Sequence, residues 1–276
     1  MIYALPGNEG THAEDVQNND ALSLAANVAN SQDANRHLPS DGIMQDKFLQ
    51  GFIKAMKDKV FATWEKDTVE QRIANANSVI DSLTREAILP QLVLRTDTSP
   101  GELKKLTREN AQFEMRRWTI LARADLFARG PLSAEQEKEL AATLVHEIRH
   151  SEQIFNILRY VEPSGWRFHG FAVPKHIVEL ARARPLNSSS ELGARTKELY
   201  ESTYGLHRAK RNQIMAKMED AEESYQAAVK RYGRGSQQAR TAEVERNAWH
   251  DAYLNLPIES DAFAAGQKLN QIWEVK

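Results

Sequence analysis

Residues 146–150 read His-Glu-Ile-Arg-His and place two imidazoles on either side of a carboxylate. Residues four apart on an α-helix lie on the same face, one turn above the other. His146 and His150 can therefore reach one divalent ion, at about 2.0–2.1 Å from each ring nitrogen. Glu147 is then close enough to a metal-activated water to take its proton. The spacing predicts a zinc site with hydrolytic chemistry.

A long helix, predicted over about 134–160, holds this motif away from both of its ends. Ser133 stands at the N-cap position with Gln136 at the capping-box position, and Pro163-Ser164-Gly165 ends the helix. One apolar stripe should face the core, while the two histidines and Gln153 lie on another side. The stripe consists of Ala141, Leu144, Ile148, Phe155 and Leu158.

A catalytic zinc usually has three protein ligands and one water, so a third donor is needed. Glu259 is the predicted third ligand, because it follows Pro257 near the start of the last predicted helix and its carboxylate can point back at the histidines. Asp261 is predicted to orient a ligand histidine. Stabilisation of N-terminal acids by the helix dipole would also explain both carboxylates. The other candidates for the third ligand are His250, His176, Glu179 and His169.

His250 and Tyr253 are predicted as catalytic residues beside Glu147, since either side chain could stabilise the oxyanion of a tetrahedral intermediate. Arg149, next to the second histidine, could bind a substrate carboxylate. It could instead pair with a nearby acid such as Glu152.

Two short motifs resemble those of a known group of proteins. His146-Glu147-x-x-His150-x-x-Gln153 is similar to the HExxHxxQ signature of zincin metallopeptidases in bacterial toxin and effector polypeptides. The metallopeptidase domain associated with extracellular contractile injection systems is one of them. Residues 253–263 resemble the segment P-x-E-x-D/E-A, whose glutamate supplies the third metal ligand from a second helix in several such families. The likeness is confined to these motifs and to the lead-in at 140–145.

The resemblance implies a bacterial effector that uses Zn²⁺ to cleave a protein or peptide substrate, with Glu259 as the third ligand. It also implies secretion or delivery without a cleaved signal peptide. A cognate inhibitor or a component of the secretion apparatus would then be a partner.

The composition excludes several other classes of protein. The chain has no cysteine, which rules out disulfides, thiolate zinc ligands and a cysteine nucleophile. Its 36 basic and 38 acidic residues give a net charge of −2, so no nucleic-acid partner is predicted. No apolar run approaches the roughly 20 residues of a membrane helix. Residues 1–7 have no signal-peptide pattern, and we expect a soluble protein without a membrane span.

The chain is predicted to fold as one mainly α domain behind a leader. Residues 1–43 are polar and are expected to be flexible. Residues 44–276 should form a zincin-like helical metallopeptidase domain, with a small strand near 117–122 beside the motif helix. Residues 165–250 are expected as an insertion that contains a charged helical hairpin, turned at Gly233-Arg234-Gly235. A further helix is predicted to begin at residue 44. Others are predicted over about 69–86, 175–184, 190–204 and 258–273.

Two other functions compete with the hydrolase. A di-iron carboxylate site would need a second Glu-x-x-His pair, and residues 44–276 contain only the pair at 147–150. The second is a non-enzymatic helical protein-binding or assembly module with a fortuitous or degenerate HExxH. The charged arms between His207 and Asp251 favour it. In a combined hypothesis, these arms recognise the substrate protein of a protease site.

Overall fold

The computed structural model describes residues 42–97, 110–161 and 173–274. These residues are mainly helical, as predicted, and contain one small sheet. A 3-10 turn (Gly42–Met44) leads into α1 (Asp46–Ala55), which continues as a π-helical stretch (Met56–Phe61). The other helices are α2 (Val69–Glu86), α3 (Ala124–Ala128), α4 (Ala134–Val161), α5 (Lys175–Ala183), α6 (Glu191–Thr203), α7 (Arg208–Tyr232), α8 (Gln237–Leu254) and α9 (Pro257–Glu274).

Three of the features predicted from the sequence lie outside the described residues. They are almost the whole leader (residues 1–41), His169, and the helix end at Pro163-Ser164-Gly165.

The sheet has three strands: β1 (Val93–Asp97), β2 (Ala111–Glu114) and β3 (Thr119–Arg123). Their order is β1-β3-β2, with β1 parallel and β2 antiparallel to β3. The strand predicted near 117–122 is β3. It begins two residues later because Trp118 ends the preceding turn with a positive φ of 53°. β2 lies at an edge of the described sheet and packs on α4.

Helix α4 is the central element and begins as the sequence predicts. The Ser133 backbone N–H donates to Gln136 Oε1 (2.9 Å), and the Gln136 N–H donates to Ser133 Oγ (3.3 Å). These two bonds form the predicted capping box. All five residues of the predicted apolar stripe are fully buried. Helices α5, α6 and α9 and strand β2 pack around α4.

Helices α7 and α8 form the predicted hairpin, and Gly233 makes its turn with a φ of 84°. The hairpin contacts the rest of the protein at its base, where α7 meets α6 and α8 meets α9. A small apolar cluster closes this base: Ile214, Met215, Tyr253 and Leu256. Among the described helices, none combines the length and the apolar character needed to cross a membrane.

Candidate metal centre

Three side chains converge at one point between α4 and α9. One ligand atom from each of His146, His150 and Glu259 lies within 4.8 Å of the other two. The two Nε2 atoms are 3.1 Å apart, and Glu259 Oε2 lies 3.3 Å from His150 Nε2 and 4.0 Å from His146 Nε2. The group is largely buried and could hold a metal ion.

Helix α9 presents Glu259 because of how it begins and how closely it packs. Pro257 occupies its first position, where a missing N–H costs nothing, and Ser260 N–H donates to the Leu256 carbonyl (2.8 Å). Farther along, a Cβ on Gly266 would lie 3.4 Å from the Ala142 carbonyl oxygen on α4. The two helices therefore run close together, and the first turn of α9 reaches the histidines.

Gln153 fixes the orientation of the His150 ring. Its Nε2 donates to the Ile258 carbonyl (2.9 Å) and to Asp261 Oδ2 (2.7 Å), so its Oε1 must be the acceptor that faces His150 Nδ1 at 2.9 Å. When the His150 ring is neutral, its proton therefore lies on Nδ1. The lone pair on Nε2 then points toward the ligand atoms of His146 and Glu259. Asp261 thus orients the histidine through Gln153 and not by direct contact.

The two histidines have opposite charge preferences. Burial, together with the positive charge on His150, lowers the pKa of His146 to about 4. Burial alone would also lower the pKa of His150, but the Glu259 carboxylate outweighs it and raises that pKa to about 9. The Glu259 pKa shifts downward, because its contact with His150 outweighs burial. Before any metal binds, the centre contains an ion pair between His150 and Glu259.

Arg149 belongs to a buried charge network behind the centre. Its Nη1 donates to Glu152 Oε2 (2.5 Å), and its Nε and Nη2 donate to Asp261 (2.7 and 3.1 Å). The Ile43 N–H also faces both Glu152 carboxylate oxygens at 3.3 Å. Of the two roles considered for Arg149, the structure shows the pairing with nearby acids.

Glu147 is held by the edge strand. The Phe113 backbone N–H donates to Glu147 Oε2 at 2.6 Å, and Oε1 lies 3.9 Å from His146 Nε2. Nothing in the sequence marks this contact, because the donor is a main-chain group of a strand that the sequence pattern did not reveal.

A cavity of about 410 Å³ opens onto the three converging side chains. Its walls come from β2, α4, α8 and α9, and it extends along α4 from Glu135 to Ile154. Tyr204, His250 and Tyr253 also line it. The centre is therefore accessible from one side and enclosed by the protein on the other.

The structure places the remaining candidate residues in different surroundings. His250 is exposed at the cavity wall, with its ring stacked on Tyr253 at 6.3 Å between centroids. The Tyr253 side chain hydrogen-bonds to Glu259 and helps to lower the pKa of that carboxyl. His176 and Glu179 are not part of the converging group. They lie on α5, where Glu179 is 3.7 Å from Lys175.

No protein-family model, curated protein or solved structure matches this chain. The resemblance to HExxHxxQ domains therefore depends on its short motifs alone.

Proposed function

We propose that this chain is a zinc-dependent metallopeptidase that cleaves a protein or peptide substrate. The observation that carries the proposal is the convergence of His146, His150 and Glu259 beside an open cavity, with Glu147 adjacent. A tetrahedral zinc ion at 2.0–2.1 Å from its ligands separates them by about 3.3 Å. Two of the three donor–donor distances here, 3.1 and 3.3 Å, agree with that value. The third, 4.0 Å between His146 Nε2 and Glu259 Oε2, would have to shorten by about 0.7 Å when the ion binds.

The types of donor also favour catalytic zinc. Two imidazoles and one carboxylate are a set that catalytic zinc uses, with the fourth position kept for water or substrate. When bound, zinc would supply a Lewis acid that lowers the pKa of a coordinated water and polarises a carbonyl oxygen.

The chain's own residues would then move the proton and stabilise the developing charge. Glu147 takes a proton from the attacking water through Oε1, while the Phe113 N–H holds Oε2 in place. The proton goes to the leaving amine as the peptide C–N bond breaks. His250 is exposed at the cavity, where it can donate a hydrogen bond to the oxyanion. Tyr253 can do the same once Glu259 releases its hydroxyl proton, which is donated to that carboxylate here.

An extended peptide is the substrate that this cavity favours. β2 forms one of its walls and offers main-chain groups for strand addition. This arrangement supports a peptidase over hydrolases of small non-peptide substrates.

Metal analysis combined with cleavage profiling tests the proposal. Purified protein should contain about one zinc per chain, and His146→Ala and Glu259→Ala should lose it. Glu147→Gln should keep zinc but lose most cleavage of a proteome-derived peptide library. Retained turnover in Glu147→Gln, or wild-type protein that binds no zinc, would contradict the function.

A bacterial effector role is the second part of the proposal, and it is supported by the HExxHxxQ resemblance. Expression of the wild-type chain inside candidate target cells should then be harmful, and Glu147→Gln should be tolerated. Equal effects of the two chains would argue against this role.

The long charged hairpin of α7 and α8 is the observation that favours the competing function, a protein-binding module. The two functions can coexist if the hairpin recognises the substrate protein. Because His250 and Tyr253 at the base of α8 line the cavity, only the distal part should be removed. Replacing residues 223–244 with a short glycine-rich turn should leave zinc content and cleavage of short peptides intact, and slow cleavage of the natural protein substrate. Unchanged cleavage of that protein would exclude a recognition role.

A further inference from the structure

The outer edge of β2 offers only some of its main-chain groups. The Arg123 N–H donates to the Asn110 carbonyl (3.0 Å), and the register pairs Ala111 with Ala122 and Phe113 with Ile120. In an antiparallel ladder, hydrogen-bonded and non-hydrogen-bonded pairs alternate. The N–H and C=O groups of Ala111 and Phe113 therefore point away from β3, toward the cavity side of the strand.

One of these four groups is already engaged. The Phe113 N–H donates to Glu147 Oε2 at 2.6 Å, a short bond of the kind that a charged acceptor makes. Within the described part of the chain, the Ala111 N–H, the Ala111 C=O and the Phe113 C=O have no backbone partner.

We infer that β2 has two separate tasks: the Phe113 amide positions the general base, and the remaining edge groups of Ala111 and Phe113 bind the main chain of an extended peptide. This inference rests on the proposed function. Phe113 is then a positioning residue that acts through Glu147. The substrate is an extended segment whose main chain hydrogen-bonds to Ala111.

The hydrogen bond between Glu147 and β2 fixes the position of the general base relative to the bound peptide. The hydrogen bond from the Phe113 N–H keeps Glu147 Oε2 beside the strand. Glu147 Oε1 therefore stays on the side of His146, 3.9 Å from its Nε2. Any peptide aligned by β2 is then aligned with the base at the same time. General-base catalysis depends on this kind of fixed placement, because proton transfer requires hydrogen-bond reach.

The contact can be tested without turnover by labelling the nine phenylalanines with ¹⁵N. In zinc-loaded protein, the Phe113 amide proton should resonate at low field and exchange slowly with solvent, although it lies on an outer strand edge. Its signal is assigned by its loss in Phe113→Leu. In Glu147→Ala it should shift upfield and exchange at least about tenfold faster, whereas Glu135→Ala, at the far end of the cavity, should leave it unchanged. An amide unaffected by Glu147→Ala would overturn the inference.

The two tasks can be separated by proline substitution. Proline lacks an N–H and is tolerated at a strand edge where that N–H makes no ladder bond. Phe113→Pro is compared with Phe113→Ala, which keeps the N–H and removes the ring that packs on Trp118 at 5.1 Å. Ala111→Pro removes the other outward N–H, which does not touch Glu147.

The kinetic readout uses a quenched fluorogenic peptide built on a cleavage site found by profiling. Phe113→Pro should have at least about tenfold lower kcat than Phe113→Ala, with KM within about twofold. Ala111→Pro should raise KM at least fivefold and leave kcat within about twofold. If Phe113→Pro and Ala111→Pro changed kcat and KM by the same factors, the division of tasks would be refuted. Failure of wild-type protein to cleave any peptide would refute the proposed function and leave the amide measurement standing.

Discussion

The side-chain amide of Gln153 lies between His150 and helix α9, with its Oε1 2.9 Å from the Nδ1 of His150. The same amide donates to the Ile258 carbonyl and to Asp261, both near the start of α9. The element that brings Glu259 into the centre therefore also fixes the ring of the second histidine.

Gln153→Met should weaken zinc binding by about 10- to 100-fold, because partners of a metal-bound histidine contribute on that scale. Methionine has a similar size but cannot accept the Nδ1 proton. The measurement is competitive titration with a zinc chelator, with Gln238→Met on the exposed face of α8 as the matched control. Equal zinc affinity in the two variants would show that Gln153 does not orient the ligand.

Zinc binding at pH 7.5 should release about one proton per ion. At that pH His146, with a pKa of about 4, is neutral, and His150, with a pKa of about 9, carries a proton that the metal must displace. Calorimetry in buffers of different ionisation enthalpy measures the release. Glu259→Gln removes the main cause of the raised pKa, so its weaker binding should release fewer protons. Binding without proton release in the wild type would refute the His150–Glu259 ion pair.

In the metal-free protein, the contribution of His146 and His150 to the free energy of unfolding should rise with pH up to about 6.5 and fall at higher pH. The His146 pKa is lowered to about 4, so the unfolded chain binds more protons between pH 4 and 6.5 and stability rises with pH. The His150 pKa is raised to about 9, so its stabilisation is complete below pH 6.5 and is lost as pH rises toward 9. Urea unfolding in chelator tests this, and a loss between pH 6.5 and 9 that persists in His150→Gln would contradict it.

Gly42→Ala should lower the free energy of unfolding by about 2–4 kcal/mol. Gly42 has a φ of 49°, and an added Cβ would fall 1.6 Å from the Glu152 carboxylate, inside the network around Arg149. Gly51→Ala is the matched control, because Gly51 lies inside α1 with open space around it. That change should raise stability by about 0.5–1 kcal/mol. Urea denaturation measures both, and similar effects of the two substitutions would be inconsistent with this packing.

Arg211→Met should raise the free energy of unfolding by about 1–2 kcal/mol. Arg211 is buried on α7, and its Nε and Nη2 have no hydrogen-bond partner among the described residues. Its Nη1 faces the Asn212 side chain at 3.4 Å, and the guanidinium lies over the Tyr204 ring, 5.8 Å from the ring centroid, so its recorded contacts are weak. Lys210→Met, the exposed neighbour, should change stability by less than about 0.5 kcal/mol. Thermal and urea unfolding compare the two, and a destabilised Arg211→Met would show that the guanidinium has a strong partner after all.

The sequence predicted those parts of the protein that depend on local spacing. Helix α2 has the predicted bounds, and α4 begins at the predicted capping box because caps and apolar periodicity involve residues only a few positions apart. β1 and β2 were not predicted, since strands this short carry almost no periodic signal and neither contains a run such as Trp-Thr-Ile, whose composition indicated β3.

The sequence by itself determined that His146 and His150 face one point, because four residues make about one turn of any α-helix. It also marked Glu259 as a candidate ligand but left His250, His176, Glu179 and His169 open beside it. Only the tertiary structure selected Glu259, through the packing of α9 on α4, and only it placed the Phe113 amide on Glu147 and Gly42 against Glu152. Such contacts join residues far apart in the chain, and no local pattern specifies which distant surfaces will pack together.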